Sequence, residues 1–426
     1  MISTILGAFR VGEIRTKVLF TAAMLALYRI GVHLPAPGIR ASAISSIQNR
    51  LSGNSILGLL NLFSGGGLGR IAIFALGIMP YITASIILQL LQVVVPSLEK
   101  LSKEGEVGQA RITQYTRYLT VGLAFAQSIG YVFLFRSFEK GAGVTLIPDF
   151  TAYKMFIIVL SLTAGTVLLM WMGELITQRG IGNGISLLIF ASIVSRIPSG
   201  INSWWNNPDQ VFKVIMPFIA IGVVAAVVFV QEGQRRIPIQ YAKRVIGRRM
   251  TQGGQTYLPL KVNMAGVIPV IFAASVMAIP PTIGQLLGQN RAGFGTDLYN
   301  FFSPASWHYV AGECLLIILF TYFYTAVTFN PVDQAENLRK YGGFIPGVRP
   351  GRPTAEFLDR ILARLTFPGA LFLAAIAALP TILINQTSAS FAFGGTSILI
   401  VIGVALDTMK QLEAQLMMRN YEGFLK

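Results

Sequence analysis

Apolar residues dominate the chain in long runs, and short polar stretches separate one run from the next. A transmembrane helix needs about 20 predominantly apolar residues. Runs of about that length occur at ten places, which are 18–34, 71–95, 116–135, 155–173, 184–201, 211–230, 264–287, 308–329, 366–384 and 396–412. The pattern predicts an all-α membrane protein with ten transmembrane helices.

One stretch breaks this pattern directly before the second run. Residues 61–69, with the sequence NLFSGGGLG, are apolar and glycine-rich, but they are far too few to cross a bilayer. Irregular backbone at membrane depth is tolerated only where protein surrounds it or where it lines a cavity. The stretch therefore predicts a cavity inside the helix bundle.

Composition and charge agree with a membrane protein and orient it. The chain is 53% hydrophobic and 12% charged, whereas soluble domains have about a quarter of their residues charged. Ten spans place both termini on one side, and 24 of the 34 Lys and Arg residues then lie on that side, nine on the other, and Arg29 inside the first run. By the positive-inside rule, both termini are expected in the cytoplasm of a multi-pass protein. No small-residue cleavage site follows the first run, so we expect it to be retained.

Two of the cytoplasmic loops are longer than a connection requires. Residues 232–261 and 331–364 each span thirty residues or more and are rich in Arg, Gly and Pro. Long ordered loops usually have a function. We expect a docking platform for a large anionic partner, such as ribosomal RNA or an acidic protein surface. A solvated signal for membrane topology is the alternative.

The second and seventh runs share a short internal repeat. Residues 77–85 (GIMPYITAS) align with residues 266–274 (GVIPVIFAA), and glycine, proline, an isoleucine and an alanine coincide. With five spans per copy, the two copies have opposite orientations in the membrane. The repeat predicts two inverted halves, 1–201 and 202–426. Chance similarity between two apolar, proline-containing helices is the alternative.

Chemistry that an enzyme or an ion-coupled transporter needs is scarce in the sequence. Ion-coupled transporters generally have charged groups at mid-membrane, whereas Glu174, Glu313 and Asp407 fall near span ends. The glycine-rich stretches at 65–69, 180–184 and 394–395 lack the Lys-Ser/Thr of a phosphate-binding loop. The two histidines are far apart, and the single cysteine lies in an apolar run. We expect no enzymatic activity, no metal and no cofactor.

Isoleucine recurs at helical spacing in the runs that flank the predicted cavity. Ile78 and Ile82 share one helix face, as do Ile185 and Ile189, and Ile271 is the repeat equivalent of Ile82. Such side chains are stiff and cannot hydrogen-bond water. A ring of them could close a pore to water and ions by dewetting, and could still yield to a polypeptide. For any single isoleucine, ordinary packing is the alternative.

The sequence resembles the bacterial SecY family of protein-conducting channel subunits over essentially its whole length. The motifs that support the resemblance are NLFSGGGL, ALGIMPYITASII, QYTRY, RGIGNGIS, EGQRRIP, YAKR, LPLKVNMAGVIP, FNP, FIPGVRPG and FGGTSILI. The resemblance implies a clamshell of two inverted five-helix halves, with a hinge between spans five and six and an hourglass pore between the halves. It implies a channel that passes unfolded preproteins across the bacterial cytoplasmic membrane and releases hydrophobic segments laterally into lipid.

The resemblance also implies roles for particular residues. The implied pore ring is Ile78, Ile82, Ile189, Ile271 and Ile400, with Ile185 nearby. The implied plug is Asn61, Leu62, Phe63, Ser64, Gly65, Gly66, Gly67, Leu68 and Gly69. The implied lateral gate lies between spans two and three and span seven, with Ser85, Gln89, Gln127 and Ser275 as polar lining. The implied docking residues are Arg235, Arg236, Lys243, Arg244, Arg349 and Tyr421.

Partners follow from the resemblance as well. They are the small SecE and SecG subunits, the SecA ATPase, the ribosome, preprotein signal sequences and membrane lipid. Energy would come from SecA, from translation and from the proton-motive force. An inverted-repeat small-molecule transporter is the alternative function, and in it the broken helix would be a substrate site.

Overall fold

The computed structural model describes residues 11–40, 44, 61, 63–142, 145–148, 150–206, 210–241, 245–246, 249–250, 255–277, 279–280, 293, 295, 297, 301–302, 306–387 and 395–424. Thirteen helices and five short strands are defined within them. The first eight helices are α1 (Gly12–His33), α2 (Met79–Val94), α3 (Pro96–Lys103), α4 (Glu106–Ala142), α5 (Ala152–Arg179), α6 (Gly184–Val194), α7 (Ile197–Trp205) and α8 (Gln210–Glu232). The other five are α9 (Ile268–Met277), α10 (Trp307–Thr328), α11 (Pro331–Lys340), α12 (Arg352–Thr387) and α13 (Gly395–Phe424).

Every predicted apolar run contains a described helix, and the protein is a multi-pass, predominantly helical membrane protein. Six helical segments in the described residues are long and apolar enough to cross a membrane. The number becomes seven if α2 and α3, which are bent by 100° at their junction, count as one span. The described part of α9 is shorter, with ten residues. The total of ten spans therefore stays a prediction.

The second run differs from the expected continuous helix. Its helix begins at Met79. Residues 64–78 form consecutive turns, and most of these residues are buried. Gly77 has a φ of 61°, a left-handed conformation that ends regular structure, and Pro80 lies in the first turn of α2, where its missing N–H has no helical partner to lose. Ile71 has a φ of 48°, which is unusual for a β-branched residue and costs about 1–3 kcal/mol. Packing must hold the segment in place.

The two long loops that are predicted to be cytoplasmic contain regular structure and join each other. Strand β1 (Gln234–Tyr241) pairs antiparallel with β4 (Gln255–Lys261), in a register that sets Arg235 opposite Leu260. On its other edge β1 pairs with β5 (Gly343–Phe344), which comes from the second loop. Two further short strands, β2 (Val245–Ile246) and β3 (Arg249–Met250), pair with each other.

Alternation explains why these loop residues form strands. In β1 the side chains of Ile237 and Ile239 are buried while their neighbours are more exposed, and Leu260 of β4 is fully buried. A period of two is typical of a strand with one covered face. The covered face packs with Ile345 and with Leu358 of α12 in a small hydrophobic cluster. The first turns of α12 thus pack with the strands of the two loops in one unit.

The largest hydrophobic core lies at the centre of the bundle and draws on both predicted halves. Helix α9 packs against α2 and α13, and α13 packs against α6. Their buried side chains form one continuous cluster with residues of α1, α5, α8, α10 and α12. The turn segment 63–78 contributes Phe63, Phe74 and Ile78 to the same cluster.

Candidate functional site

The glycine-rich stretch forms a compact unit held together by two of its own side chains. Asn61 Oδ1 accepts a hydrogen bond from the Gly69 amide at 2.8 Å, and Ser64 Oγ accepts one from the Leu68 amide at 3.0 Å. Backbone bonds join Gly66 N to Asn61 O and Ala72 N to Gly67 O. Buried backbone groups require such partners. We call residues 61–77 the plug segment, which ends before the ring candidate Ile78; its Leu62 lies outside the described residues.

Helices α1 and α6 hold the plug segment from one side. Ser192 Oγ donates to Leu188 O, so the 2.5 Å hydrogen bond between Tyr28 and Ser192 has the tyrosine hydroxyl as its donor. A Cβ added to Gly65 would lie 2.6 Å from Tyr28 Oη. The backbone of the plug segment therefore approaches this tyrosine more closely than any residue with a side chain would allow.

Close packing also accounts for glycine at other positions of the segment. A Cβ at Gly67 would lie 2.9 Å from Phe74 O, and one at Gly69 would lie 2.9 Å from Asn61 Nδ2. Neither glycine has a positive φ. At these two positions glycine is required by close approach, which a sequence analysis alone could not distinguish from a need for flexibility.

All six predicted ring isoleucines meet in the central cluster. Ile78, Ile82, Ile189, Ile271 and Ile400 are each at most 5% exposed, and Ile185 is partly buried and packs against the same cluster. The set comes from the start of α2 and from α6, α9 and α13. Side chains that are far apart in sequence thus share one buried cluster, and their role as a pore ring stays a prediction.

The plug segment lies directly against this ring. Phe63 and Phe74 belong to the same buried cluster as the isoleucines, and the rings of Tyr28 and Phe74 stack at 6.0 Å between centroids. A Cβ at Gly77 would lie 3.1 Å from Ser64 Cα, so the segment folds back onto the residue before Ile78. The irregular backbone of the plug segment and the predicted ring isoleucines therefore pack in one apolar cluster.

The predicted lateral-gate residues lie on α2, α4 and α9. Ser85 and Gln89 continue the face of α2 that begins with Ile78 and Ile82, at spacings of four, seven and eleven residues. Both are half-buried, and Gln89 Oε1 is buried without a hydrogen-bond partner. Buried polar atoms without partners are rare in proteins.

Ser275 is the gate candidate that touches the opposite helix. Its hydroxyl donates to Ile271 O at 2.7 Å and lies 3.8 Å from Met79 Sδ of α2. Thioether sulfur is a weak acceptor, so this contact between α9 and α2 is a weak one. Gln127 is half-buried on α4, which packs against α2.

The described docking candidates are exposed on or beside the sheet formed by β4, β1 and β5. Arg235 and Arg236 lie on β1, and Arg349 follows β5, where its carbonyl oxygen accepts a hydrogen bond from Thr354. The pairing of β1 with β5 brings the two loops together. Lys243 and Arg244 lie outside the described residues. Tyr421 belongs to α13, but its side chain is outside the described part of the chain.

Some residues at the plug segment were missed by the sequence analysis. Arg29 Nη1 donates to Gly65 O at 3.1 Å, and Arg196 Nη2 donates to Asn61 O at 3.3 Å. An arginine in the first apolar run was a visible signal, since charges within spans are expensive. Among the described residues, no group of three or more His, Cys, Asp or Glu side chains could hold a metal ion.

These features define the class of the protein. It is a bundle of membrane helices whose largest buried cluster contains the predicted ring isoleucines together with residues of an irregular segment that packs within the bundle. This arrangement is typical of a channel closed from within by hydrophobic side chains.

The chain belongs to the SecY family. The family model for SecY matches residues 72–409. Two relatives described as protein translocase subunit SecY, from Corynebacterium glutamicum and Streptomyces galbus, are each 50% identical to the chain, and the matches cover 100% of both sequences. The subunit of the same description from Mycobacterium bovis is 48% identical over the full length of both.

Solved structures show the same fold at low identity. One described as a protein-conducting channel has a TM-score of 0.64 and 20% identity, and the match covers 94% of this chain and 92% of that one. A structure concerned with the plug domain of SecY has a TM-score of 0.63 and 22% identity at the same coverage. Sec61 from the canine ribosome–channel complex has a TM-score of 0.62 and 20% identity, also at that coverage.

Proposed function

We propose that the chain is the pore-forming subunit of a protein translocase in the bacterial cytoplasmic membrane. It passes unfolded preproteins and acts as a passive, gated channel without covalent chemistry of its own. The observation that carries the proposal is the convergence of Ile78, Ile82, Ile189, Ile271 and Ile400 in one buried cluster beneath the plug segment. A small-molecule transporter is not favoured, because full-length relatives at about half identity are translocase subunits.

The ring explains how one pore can be tight at rest and adaptable in use. Aliphatic side chains exclude water and ions at a constriction, because hydrated ions find no partners there. They make no directional bonds, so they can also surround an extended chain of any sequence. At rest, Phe63 and Phe74 of the plug segment extend the apolar seal.

Replacing ring isoleucines by asparagine tests the seal. We expect Ile82→Asn and Ile400→Asn to raise the ion leak of liposomes containing the protein at least several-fold, because an amide can hydrate the constriction. Leu315 of α10, which is 62% exposed on the bundle surface, provides the control as Leu315→Ala. Ring variants as ion-tight as the wild type would refute the role of the ring.

Lateral release of hydrophobic segments is proposed at the contact of α2 with α9. The helices pack in the central apolar cluster, the described polar contact between them, from Ser275 to Met79, is weak, and Gln89 has a buried oxygen without a described partner. Separating the two helices at such an interface costs little free energy in polar contacts, because few hydrogen bonds are lost. An apolar signal segment that packs between the helices would replace the contact they lose.

The sheet of β4, β1 and β5, on the predicted cytoplasmic side, is proposed as the docking surface for the SecA motor and the ribosome. SecE and SecG are proposed as membrane partners. Three exposed arginines, Arg235, Arg236 and Arg349, lie on or beside paired strands, where they have a rigid support. The fold is shared with Sec61 of a ribosome–channel complex. Exposed cations on an ordered frame suit ribosomal RNA or an acidic protein surface. Both termini would lie on this side.

Charge reversal tests the docking surface. Arg235→Glu combined with Arg349→Glu should weaken binding of SecA or of ribosomes to the reconstituted protein by about tenfold or more, with a steep dependence on salt. Arg40→Glu, on the predicted opposite side, is the control. Unchanged affinity in the double variant would assign these arginines to membrane topology alone.

A further inference from the structure

Three arginines from three parts of the chain converge on the predicted outer side of the plug segment. Arg29 lies on α1, Arg70 lies in the plug segment itself, and Arg196 lies between α6 and α7. Arg29 and Arg196 donate to plug-segment carbonyl oxygens, while Arg70 Nη1 donates to His33 Nε2 at 2.7 Å. Among the described residues, each arginine side chain uses one donor on protein, which leaves further N–H groups of a guanidinium that has five.

An open space lies between two of these guanidinium groups. A Cβ built on Gly66 would have Arg196 Nη2 at 3.8 Å and Arg70 Nη1 at 3.9 Å, with no other described heavy atom within 4 Å. Gly66 is half-buried. The space beside this glycine is thus bounded by two cations, and its lack of a side chain leaves room for a small group.

The three positive charges have no negative partner in the described part of the chain. The described ion pairs involve Lys103, Arg117, Arg352 and Lys410, and none of the three arginines. His33 adds no charge in this arrangement: its Nε2 accepts from Arg70, which leaves Nδ1 to donate to Arg29 O. Burial and, after it, the charge of Arg29 lower the pKa of the Arg70 guanidinium. It nevertheless stays charged, as arginine does in proteins.

Two other basic residues on the same predicted side contact neutral side chains. Arg136 lies 4.4 Å above the ring of Phe150, and Arg40 donates to Thr145 Oγ1. Arg29, Arg70 and Arg196 instead approach one another in a half-buried place, on the side where the positive-inside rule disfavours basic residues. Like charges held together this way are stable only with a counter-charge, because burial weakens the screening by water.

We propose that Arg29, Arg70 and Arg196 form a binding site for a phosphate-class oxyanion beside Gly66. Guanidinium groups bind such anions through paired N–H donors. Inorganic phosphate and the phosphate of a lipid headgroup have the same chemistry and could each occupy the site. The anion would connect Arg70, which moves with the plug segment, to Arg29 and Arg196 on the bundle. Its binding therefore stabilises the closed arrangement, and displacement of the plug segment dismantles the site.

A thermal-shift titration tests the site. The full-length chain in maltoside micelles, which contain no phosphate, is heated in sodium phosphate or in sodium chloride at equal ionic strength. We expect phosphate to raise the Tm saturably, by about 1–3 °C at tenfold excess over half-saturation. Arg70→Gln should abolish this rise, and Arg40→Gln, the matched control, should retain it. Arg196→Gln is the second test variant if Arg70→Gln does not fold.

A second arm separates the two sources of the anion. Short-chain phosphatidylglycerol is added to the micelles, with and without phosphate. A rise with the lipid alone identifies a headgroup as the ligand, and a rise with phosphate that the lipid does not compete for identifies the free ion. No saturable rise in the wild type with either probe overturns the proposal, as does a rise that persists in both arginine variants. The measurement needs no polypeptide transport, so its failure would leave the channel proposal standing.

Discussion

The starts of α2 and α9 have the same local backbone geometry but different surroundings. Gly77 and Gly266 have φ values of 61° and 63°, and each lies two residues before its helix, whose second residue is a proline. A Cβ at Gly77 would press on Ser64 Cα at 3.1 Å and Phe63 O at 3.3 Å, whereas a Cβ at Gly266 would meet no described atom within 4 Å.

The difference shows which feature the two predicted halves share and which feature only one of them has. The matching glycine conformations support the internal repeat, since chance similarity in sequence does not require equal backbone geometry. Within the described residues, only the predicted first copy has a segment folded back onto its glycine. The plug segment is therefore an addition to one copy, packed against a helix start that both copies share.

Replacing each of the two glycines by valine should separate the cost of backbone strain from the cost of disturbed packing. Of the variants considered, Gly77→Val should have the largest effect. Val at a positive φ costs about 1–2 kcal/mol at either position. At Gly77 the side chain would also displace the plug segment, so we expect Gly77→Val to lose about 3 kcal/mol or more and to leak ions. Gly266→Val should lose only the strain and stay tight. Equal unfolding midpoints and equal leak would contradict the proposed docking of the plug segment on Gly77.

Two asparagines allow the same comparison between the two helix starts, with smaller expected effects. Asn61 Oδ1 accepts from Gly69 N, and Asn263 Nδ2 donates to Gly266 O at 2.8 Å. Asn61→Ala leaves a buried amide unpaired, which costs about 1–3 kcal/mol, whereas water can reach the half-buried Gly266, so Asn263→Ala should cost about 0.5–1.5 kcal/mol.

Ion leak distinguishes the two asparagine variants more sharply than stability does. We expect a rise in liposome leak for Asn61→Ala alone, because only that change loosens the plug segment. A leak of equal size in Asn263→Ala would mean that general destabilisation, and not the plug segment, controls the seal.

The sequence predicted the features that depend on local patterns. Apolar runs located the helices, the shared glycine and proline indicated an internal repeat, and the isoleucines at helical spacing share one buried cluster. The start of α2 was misplaced, at residue 71 in place of Met79, because the turns before it are as apolar as a helix. Periodicity cannot detect a break that Gly77 and tertiary packing impose together.

Contacts between segments that are distant along the chain could not be predicted from the sequence. The pairing of β1 with β5 joins residues about a hundred positions apart, and neither strand is long enough to be obvious alone. The convergence of Arg29, Arg70 and Arg196 has the same cause. Each arginine was visible, but only the folded chain shows that they share one place.

The central claim is that a translocating polypeptide passes through the isoleucine ring, and crosslinking tests it most directly. In a Cys314→Ala background, single cysteines replace Ile82, Ile271, Gln89 or Leu315, and a stalled preprotein has one cysteine in its mature part and, separately, one in its signal segment. The account predicts disulfides from the mature part to positions 82 and 271, from the signal segment to position 89, and none to the exposed control at 315. Mature-chain crosslinks absent from the ring positions, or as frequent at position 315, would contradict it.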